Sequence, residues 1–201
     1  MTAARTSGVA ARARAGWIAA TVLWLAAVSA GMVALWHYKS TPGPQGAFPP
    51  NWPVQSTLRR EAGSPTLLVF LHPRCPCSRA TISELSRLIT LAPARLRVQV
   101  VFHLPEGEGD AFAKTELWQR ARELTGVDAT IDRGGAETRR FGAATSGQTL
   151  LYGADGTLQF AGGITVARGH EGRSPGMDRI LALASGKQAD RPTAPVFGCA
   201  L

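Results

Sequence analysis

The hydrophobic pattern divides the chain into a long apolar segment near the N-terminus and a later series of short apolar segments. Residues 16–36 contain no charged side chain, and these 21 residues are enough for a helix that crosses a hydrocarbon core of about 30 Å. Trp17 and Trp36 lie at the two ends of the segment, where aromatic rings favour the interface between lipid and water. The pattern therefore predicts a transmembrane anchor over residues 16–36.

Two other interpretations of this apolar segment stay open. Val28-Ser29-Ala30 resembles the small-residue cleavage site of a secretory signal peptide. A buried core helix is the second alternative, although core helices rarely stay uncharged over this length. Apolar sequence continues past Ala30 to Trp36, which favours an uncleaved anchor. The anchor and the signal peptide both export the rest of the chain.

The short apolar segments predict an α/β domain. A hairpin is indicated by Asp155-Gly156 between the last two strands. The order β-α-β-α-β-α-β-β-α, with parallel crossovers that end in an antiparallel hairpin and a helix, is typical of a thioredoxin-like sheet. The predicted strands are 66–71, 96–102, 127–131, 148–152 and 157–161, and the predicted helices are 79–91, 111–125, 135–141 and 175–185.

These elements divide the chain into five regions. Residues 37–59 are rich in proline and are expected to form a spacer, with Trp52 as a docking contact. The regions are a basic cytoplasmic N-terminus (1–15), the anchor (16–36), the proline-rich linker (37–59), the thioredoxin-like domain (60–187) and a C-terminal tail that carries Cys199 (188–201).

Charge indicates orientation and excludes one class of partner. The chain has 22 Lys and Arg against 14 Asp and Glu, a net charge of +8. The basic residues form no dense run of the kind that tracks phosphates, so nucleic acid is not an expected partner. Arg5, Arg12 and Arg14 precede the anchor, and no acidic residue occurs before Glu61. The positive-inside rule therefore predicts a single-pass protein of the inner (cytoplasmic) membrane, with its domain in the periplasm.

Two cysteines separated by a proline, Cys75-Pro76-Cys77, are the main candidates for chemistry. They lie between a predicted buried strand and a predicted helix, where free backbone N–H groups and the helix dipole lower the pKa of a thiol. Arg74 and Arg79 are expected to act in the same direction, and Cys75 is the expected nucleophile because it precedes the helix. A disulfide between residues two apart closes a small ring, and strained disulfides suit exchange. A structural disulfide or two inert buried thiols are the alternatives.

The segment around these cysteines, VFLHPRCPCSRATISEL over residues 69–85, resembles the active site of membrane-tethered thioredoxin-like thiol–disulfide oxidoreductases of the TlpA and ResA type. The resemblance assigns Cys75 as the attacking cysteine. Pro76 and Cys77 take the next two positions of the family's Cys-Pro-Pro-Cys signature. Ser78 stands where the family has its resolving cysteine, so Cys77 is expected to resolve from one position earlier.

A later segment, residues 129–165, resembles the strand, helix and hairpin that end the family's fold. Gly147 takes the position of the family's cis-proline, and Ser146 precedes it. The resemblance implies that this element, with Pro76, lines the groove for the partner beside the cysteines. Several short segments resemble the RedB-type branch most closely: His72-Pro73, Cys75–Ser78, Thr145-Ser146-Gly147, Gly162–Thr165 and Arg168-Gly169-His170.

The third cysteine and three histidines are accessory candidates. A tail that folds back to the cysteine pair would bring Cys199 there as a resolving thiol or as a third metal ligand. His72 is three residues before Cys75, His103 follows the neighbouring predicted strand, and His170 lies in a glycine-rich loop. Ordinary surface or capping roles are the alternative for each of them.

Three functions remain compatible with these residues. The first is a periplasmic thiol–disulfide oxidoreductase without a cofactor, in which Cys75 attacks a disulfide of a partner protein and Cys77 resolves. The second is a copper(I)-binding or delivery protein, because soft thiolates select Cu(I); its ligands would be Cys75 and Cys77 with Cys199 or with a histidine such as His72 or His103. The third is a non-catalytic binding module that keeps the fold as a scaffold.

Overall fold

The computed structural model describes the backbone of residues 3–201 and the side chains of residues 12–201. The chain divides into two units between Lys39 and Ser40. The first unit is formed by helix α1 (Ala3–Ser40), whose Arg12–Ser40 part is long and apolar enough to cross a membrane. Arg5 of the predicted basic segment lies outside the described side chains. The predicted anchor thus falls within one continuous helix.

The second unit is built on a mixed five-stranded sheet. Its strands are β1 (Thr66–Leu71), β2 (Arg97–Leu104), β3 (Val127–Arg133), β4 (Gln148–Tyr152) and β5 (Leu158–Gly162). The strand order is β3-β2-β1-β4-β5, so β1 is central, with β2 parallel on one side and β4 antiparallel on the other. All six residues of β1 are buried, as its continuous apolar sequence predicts.

Helices cover this sheet and complete two hydrophobic clusters. They are α2 (Cys77–Leu91), α3 (Asp110–Ala113), α4 (Glu116–Glu123), α5 (Ala136–Arg140) and α6 (Pro175–Ala184). Leu67 and Val69 of β1 belong to the cluster that contains Leu85 of α2, whereas Leu68 and Phe70 belong to the other cluster. The central strand therefore contributes to a core on both of its faces.

This topology is thioredoxin-like and confirms the predicted fold class. A parallel β1-α2-β2 unit is followed by the antiparallel β4-β5 hairpin and α6, and β3 extends the sheet beside β2. The predicted strands 66–71 and 148–152 match the structure residue for residue. The single helix predicted over 111–125 is instead the pair α3 and α4. Between them Thr115 has an extended backbone, and its hydroxyl donates to Pro73 O (3.1 Å).

The proline-rich residues 41–58 pack against the sheet, and Trp52, the predicted docking contact, is among the residues that do so. Trp52 meets Phe141 and Tyr152 edge to face, with ring centroids 5.2 Å apart in each pair. The Tyr152 hydroxyl donates to Pro49 O (3.0 Å). Proline has no N–H but keeps its carbonyl acceptor, so a proline-rich segment can still be held by donors from the domain.

The tail begins by lining the open edge of β5. Ala161 N–H donates to Pro192 O (2.9 Å), and Ala194 N–H donates to Ala161 O (3.2 Å). Thr193 forms a parallel bridge with Ala161 between these bonds. The tail therefore satisfies backbone groups at the sheet edge before it continues to the cysteines.

Candidate thiol site

Cys75 lies in the turn that connects the central strand β1 to helix α2. The turn is closed by two backbone bonds, from Cys75 N–H to His72 O (3.2 Å) and from Ser78 N–H to Cys75 O (3.1 Å). Pro76 has helical backbone angles and directly precedes Cys77, the first residue of α2. Its fixed φ suits a helix start, where the N–H that it lacks would have no partner within the helix. Both cysteines of the pair therefore lie at a helix N-terminus.

All three cysteines meet in one cluster. The Sγ atoms of Cys75, Cys77 and Cys199 lie within 4.8 Å of one another, and those of Cys75 and Cys199 are 2.7 Å apart. The three residues are free thiols. Cys75 is only 2% exposed and Cys77 only 8% exposed. The two cysteines of the pair are therefore shielded from solvent, whereas Cys199 is half-buried.

Hydrogen bonds favour a thiolate at Cys75. Burial raises the pKa of this thiol, but donors to its sulfur outweigh burial and leave the pKa below its ordinary value. The strongest donor is the Cys199 side chain, followed by the backbone N–H groups of Cys199, Cys77 and Ser78. N–H groups in the first turn of a helix have no partner within the helix, so they are free to bind an anion. Cys75 is thus the nucleophile that the surroundings favour.

Cys77 and Cys199 are the proton-bearing members of the cluster. Burial raises the pKa of both thiols, and the negative charge at Cys75 raises them further. The pKa of Cys199 rises to about 12, because its thiol also donates to Cys75. The positive charge of Arg168 opposes these shifts at both residues. The surroundings therefore favour the thiolate at Cys75 over a thiolate at Cys77 or Cys199.

Arg168 also binds the tail directly. Its guanidinium donates a hydrogen bond to Gly198 O, next to Cys199. Arg168 lies in a segment that resembles the RedB-type branch, but it is not among the predicted site residues. The only local signal was a cation in a glycine-rich loop, and nothing in the sequence indicates that this loop and the tail meet.

Arg74 and Arg79, which flank the cysteine pair in sequence, bind partners of their own. The Arg74 guanidinium lies 4.0 Å above the centre of the Phe112 ring, and Arg79 forms an ion pair with Glu116 (3.3 Å). The largest influences that lower the pKa of Cys75 are hydrogen bonds from Cys199, Cys77 and Ser78. Both arginines line a groove of about 330 Å³ beside Cys75.

Ser78 and Ser146 connect helix α2 to the loop before β4. Their hydroxyl oxygens are 2.8 Å apart and buried. The Ser78 hydroxyl also donates to His72 O (3.1 Å), and the Ser146 hydroxyl accepts from His72 N–H (2.8 Å). Ser78, which stands where the family has its resolving cysteine, therefore holds the active-site turn against the neighbouring loop.

Gly147, which takes the position of the family's cis-proline, is joined by a trans peptide bond. The described residues contain no cis peptide bond. Gly147 has a φ of 95°, in the left-handed region that glycine adopts without a steric penalty. Its N–H donates to Phe70 O (2.8 Å), a bond that proline cannot make. The glycine therefore joins this loop to the central strand through its backbone.

The last residues of the tail pair with the loop that contains Ser146. Ser146 N–H donates to Cys199 O (2.8 Å), and Leu201 N–H donates to Ala144 O (3.1 Å). The pairing is antiparallel. It places Cys199 over Cys75, so the structure brings the third cysteine to the predicted pair.

His72 and His103 lie beside the site and are shifted towards the neutral form. Burial, then His103, then Arg74 lower the pKa of His72, whose Nδ1 accepts from Arg74 N–H (3.2 Å). The His72 ring also meets Phe112 edge to face. Burial lowers the pKa of His103, whose Nδ1 lies 3.4 Å from the Thr138 hydroxyl. Both rings thus have packing or hydrogen-bonding partners of their own.

Histidine does not take part in the thiol cluster. His170 is exposed, and its Nδ1 lies 2.7 Å from Arg168 O. Among the side chains of residues 12–201, the one group of His, Cys, Asp or Glu close enough to share a metal ion consists of Cys75, Cys77 and Cys199. A metal at this site would therefore have sulfur ligands.

Comparison with known proteins supports the fold. No protein-family model matches the sequence, and no curated protein matches it. An uncharacterized conserved protein from Geobacillus kaustophilus is 19% identical over 81% of this chain and 93% of its own, with a TM-score of 0.59. A hypothetical protein from Sinorhizobium meliloti is 20% identical over 80% of this chain and 93% of its own, with a TM-score of 0.54. Similarity at this level of identity shows a shared fold alone.

Proposed function

We propose that this protein is a membrane-tethered thiol–disulfide oxidoreductase with Cys75 as its nucleophile. The observation that carries the proposal is the set of donors around the Cys75 sulfur, which includes N–H groups of the first turn of α2 and lowers the pKa of the thiol. A thiolate at a helix N-terminus is the reactive form in disulfide exchange. This arrangement also argues against a purely structural scaffold, which would not need an activated thiol.

The proposed reaction transfers one disulfide and two electrons. The Cys75 thiolate attacks one sulfur of a partner disulfide, and the other partner sulfur leaves as a thiolate that takes up a proton. Cys77 then loses its proton and attacks the Cys75 sulfur, which releases the second partner sulfur. The partner is reduced to a dithiol, and the protein is left with a disulfide. A dithiol protein reverses these steps and restores the reduced form.

Cys199 is a second candidate for the resolving step. Its sulfur is 2.7 Å from that of Cys75, and the two side chains are hydrogen-bonded. Cys77 has the advantage of a fixed place in helix α2, next to Cys75. The two routes give different disulfides, Cys75–Cys77 or Cys75–Cys199, and are separable by single substitutions.

The setting of the reaction is part of the proposal. Helix α1 would anchor the protein in the inner membrane, with the basic N-terminus in the cytoplasm and the domain in the periplasm. The partners would be periplasmic proteins that carry a disulfide or a dithiol. The HPRCPCS segment supports a place near the TlpA and ResA type, closest to the RedB-type branch.

A redox titration tests this function. The full chain in detergent is equilibrated in graded thiol–disulfide buffers, free thiols are trapped with an alkylating label, and labels are assigned to residues by mass spectrometry. We expect a reversible two-electron transition that includes Cys75 and disappears in Cys75→Ser. Loss of the transition in Cys77→Ser but not in Cys199→Ser identifies Cys77 as the resolving cysteine, and the reverse identifies Cys199. Thiols that stay reduced in every buffer would exclude exchange chemistry.

The sulfur cluster also favours a second candidate, copper(I) binding. Three Sγ atoms within 4.8 Å of one another form a donor set of the soft type that selects Cu(I). The sequence leaves the third ligand open between Cys199 and a histidine, and Cys199 is the one that lies within this cluster. We expect Cu(I) binding, measured by competition with a chromogenic chelator, to weaken in Cys75→Ser, Cys77→Ser and Cys199→Ser alike. His103→Ala serves as the control and should bind normally. Failure of the unsubstituted protein to compete with the chelator would rule out this function.

A further inference from the structure

We propose that the tail and the redox partner bind the same surface, the backbone edge Ala144–Ser146. The tail occupies this edge in the structure. The partner displaces the tail and binds there through an extended segment that has glycine before its cysteine. This edge is called the docking edge below. The inference rests on the proposed function, because it names the surface and the type of peptide that exchange at Cys75 would use.

The docking edge binds the tail through its backbone. Ser146 N–H donates to Cys199 O (2.8 Å), and Leu201 N–H donates to Ala144 O (3.1 Å). These bonds are the ones that an added antiparallel strand makes, and they do not depend on side-chain identity. Any extended peptide with suitable side chains can therefore make them. In this structure the tail is the peptide that pairs with the docking edge.

The tail residues that precede Cys199 indicate which peptide sequences the docking edge accepts. A Cβ at position 198 would lie 1.8 Å from Ser146 O, so the close approach of the tail requires glycine there. Val196 and Phe197, which precede Gly198, are both buried. The part of the tail at the docking edge therefore consists of two buried apolar residues followed by a glycine and a cysteine. We infer that a partner segment needs glycine before its cysteine and is favoured by apolar residues before the glycine.

A bound tail and a bound partner exclude each other. With the tail in place Cys75 is 2% exposed, and the Cys199 sulfur lies 2.7 Å from the Cys75 sulfur. A sulfur of the partner has to reach this same position before exchange can occur. The tail must therefore leave before the partner binds, and its position controls access to the thiolate.

Substitution of Gly198 tests the proposal in the full chain in detergent. Gly198→Val introduces the clash with Ser146 O and keeps Cys199. Gly109→Val is the matched control, because a Cβ at position 109 has nothing within 4 Å and its φ of −85° suits any residue. The limiting rate at which a small neutral reagent alkylates Cys75 is measured for each protein at a pH where this thiol is fully ionised, so that a change in its pKa does not enter the comparison. We expect Gly198→Val to raise the rate about tenfold, which corresponds to about 1.4 kcal/mol of lost tail binding, and Gly109→Val to leave it unchanged.

A peptide supplies the second measurement. The probe is a fluorescent peptide with the sequence of residues 192–201 and serine in place of Cys199, and its matched control also carries valine in place of Gly198. We expect the probe to bind the Gly198→Val protein more tightly than the unsubstituted protein, and the control peptide to bind neither. Where Gly198→Val loses the fold, as judged by circular dichroism, Gly198→Ala takes its place.

The outcomes separate this inference from the proposed function. Equal alkylation rates in the unsubstituted and Gly198→Val proteins, or equal binding of the two peptides, would overturn the tail inference even where Cys75 shows its redox transition. Absence of that transition in the unsubstituted protein would overturn the proposed function. In that case the alkylation rates still report whether the tail covers Cys75.

Discussion

The hydrogen bond between the side chains of Cys75 and Cys199 favours the thiolate at Cys75. The Cys199 thiol is the strongest donor to the Cys75 sulfur, and its own pKa is raised to about 12 by burial, by this bond and by the charge on Cys75. The lowered pKa of Cys75 and the raised pKa of Cys199 both follow in part from the hydrogen bond between the two side chains. Residue 199 is therefore part of the electrostatics of the nucleophile even where it forms no disulfide.

Substitution of Cys199 is expected to change the pH dependence of Cys75. Cys199→Ala removes the strongest donor to the thiolate, so the pKa of Cys75 should rise and its alkylation should begin at higher pH. Cys199→Ser keeps a hydroxyl donor, so its profile should lie between those of Cys199→Ala and the unsubstituted protein. The midpoint of the alkylation rate against pH is the measurement, because it reports the pKa of Cys75; greater exposure alone would lower this midpoint, whereas loss of the donor raises it. Three coincident midpoints would contradict this assignment.

The residues of the site differ in how well their positions and roles can be predicted from the sequence. The position of Cys75 between a buried strand and the start of a helix is predictable because both elements are local, whereas its hydrogen bond with Cys199 depends on the fold of the tail. Ser78 and Gly147 are recognisable as departures from a family pattern, but their roles depend on contacts with His72 and Phe70 that no local pattern encodes. Arg168 acts across the fold on Cys77 and Cys199, and its role follows from tertiary structure alone.

Among the elements, the regular strands and helices follow from the sequence, and the irregular segments do not. Strand β1 is predicted residue for residue because its apolar run is continuous. The break between α3 and α4 is not, because it depends on a hydrogen bond from Thr115 to Pro73 in a distant turn. Their proline content predicts a spacer with Trp52 as its docking contact, but it does not predict that backbone carbonyls of residues 41–58 bind the domain as well.

Trp52 is expected to hold residues 41–58 on the sheet. Trp52→Ala removes two edge-to-face ring contacts, with Phe141 and Tyr152, and should lower the free energy of unfolding by about 2–3 kcal/mol, somewhat less than for a fully buried aromatic residue. Urea unfolding of the full chain in detergent, followed by near-ultraviolet circular dichroism, measures this change. Trp52→Phe should retain most of the stability.

Trp24→Ala is the control for this prediction. Trp24 is an exposed residue of α1, so its loss should leave unfolding of the domain unchanged. Hydrogen exchange gives a local check, because amides of residues 41–58 should exchange faster in Trp52→Ala. Equal stability of Trp52→Ala and the unsubstituted protein would mean that these residues do not depend on the aromatic contacts.

At the scale of the whole molecule, the site is assembled from parts that are far apart in sequence. The nucleophile follows β1, the docking edge precedes β4, and Cys199 comes from the tail. Residues 41–58 also take part, because Gly43 N–H donates to Val196 O (2.8 Å) in the tail. Hydrophobic periodicity predicts the sheet that organises these parts, but it carries no information on where two irregular segments meet.

The attachment of the tail to its own domain has a consequence for affinity. A peptide that belongs to the same chain is present at an effective concentration on the order of millimolar for a short flexible connection. A free peptide that makes the same contacts would have to reach a comparable concentration to compete. A partner confined to the same membrane surface, or one with a second contact elsewhere on the domain, gains that advantage without tighter binding at the edge itself. Selectivity would then come from colocalisation as much as from sequence.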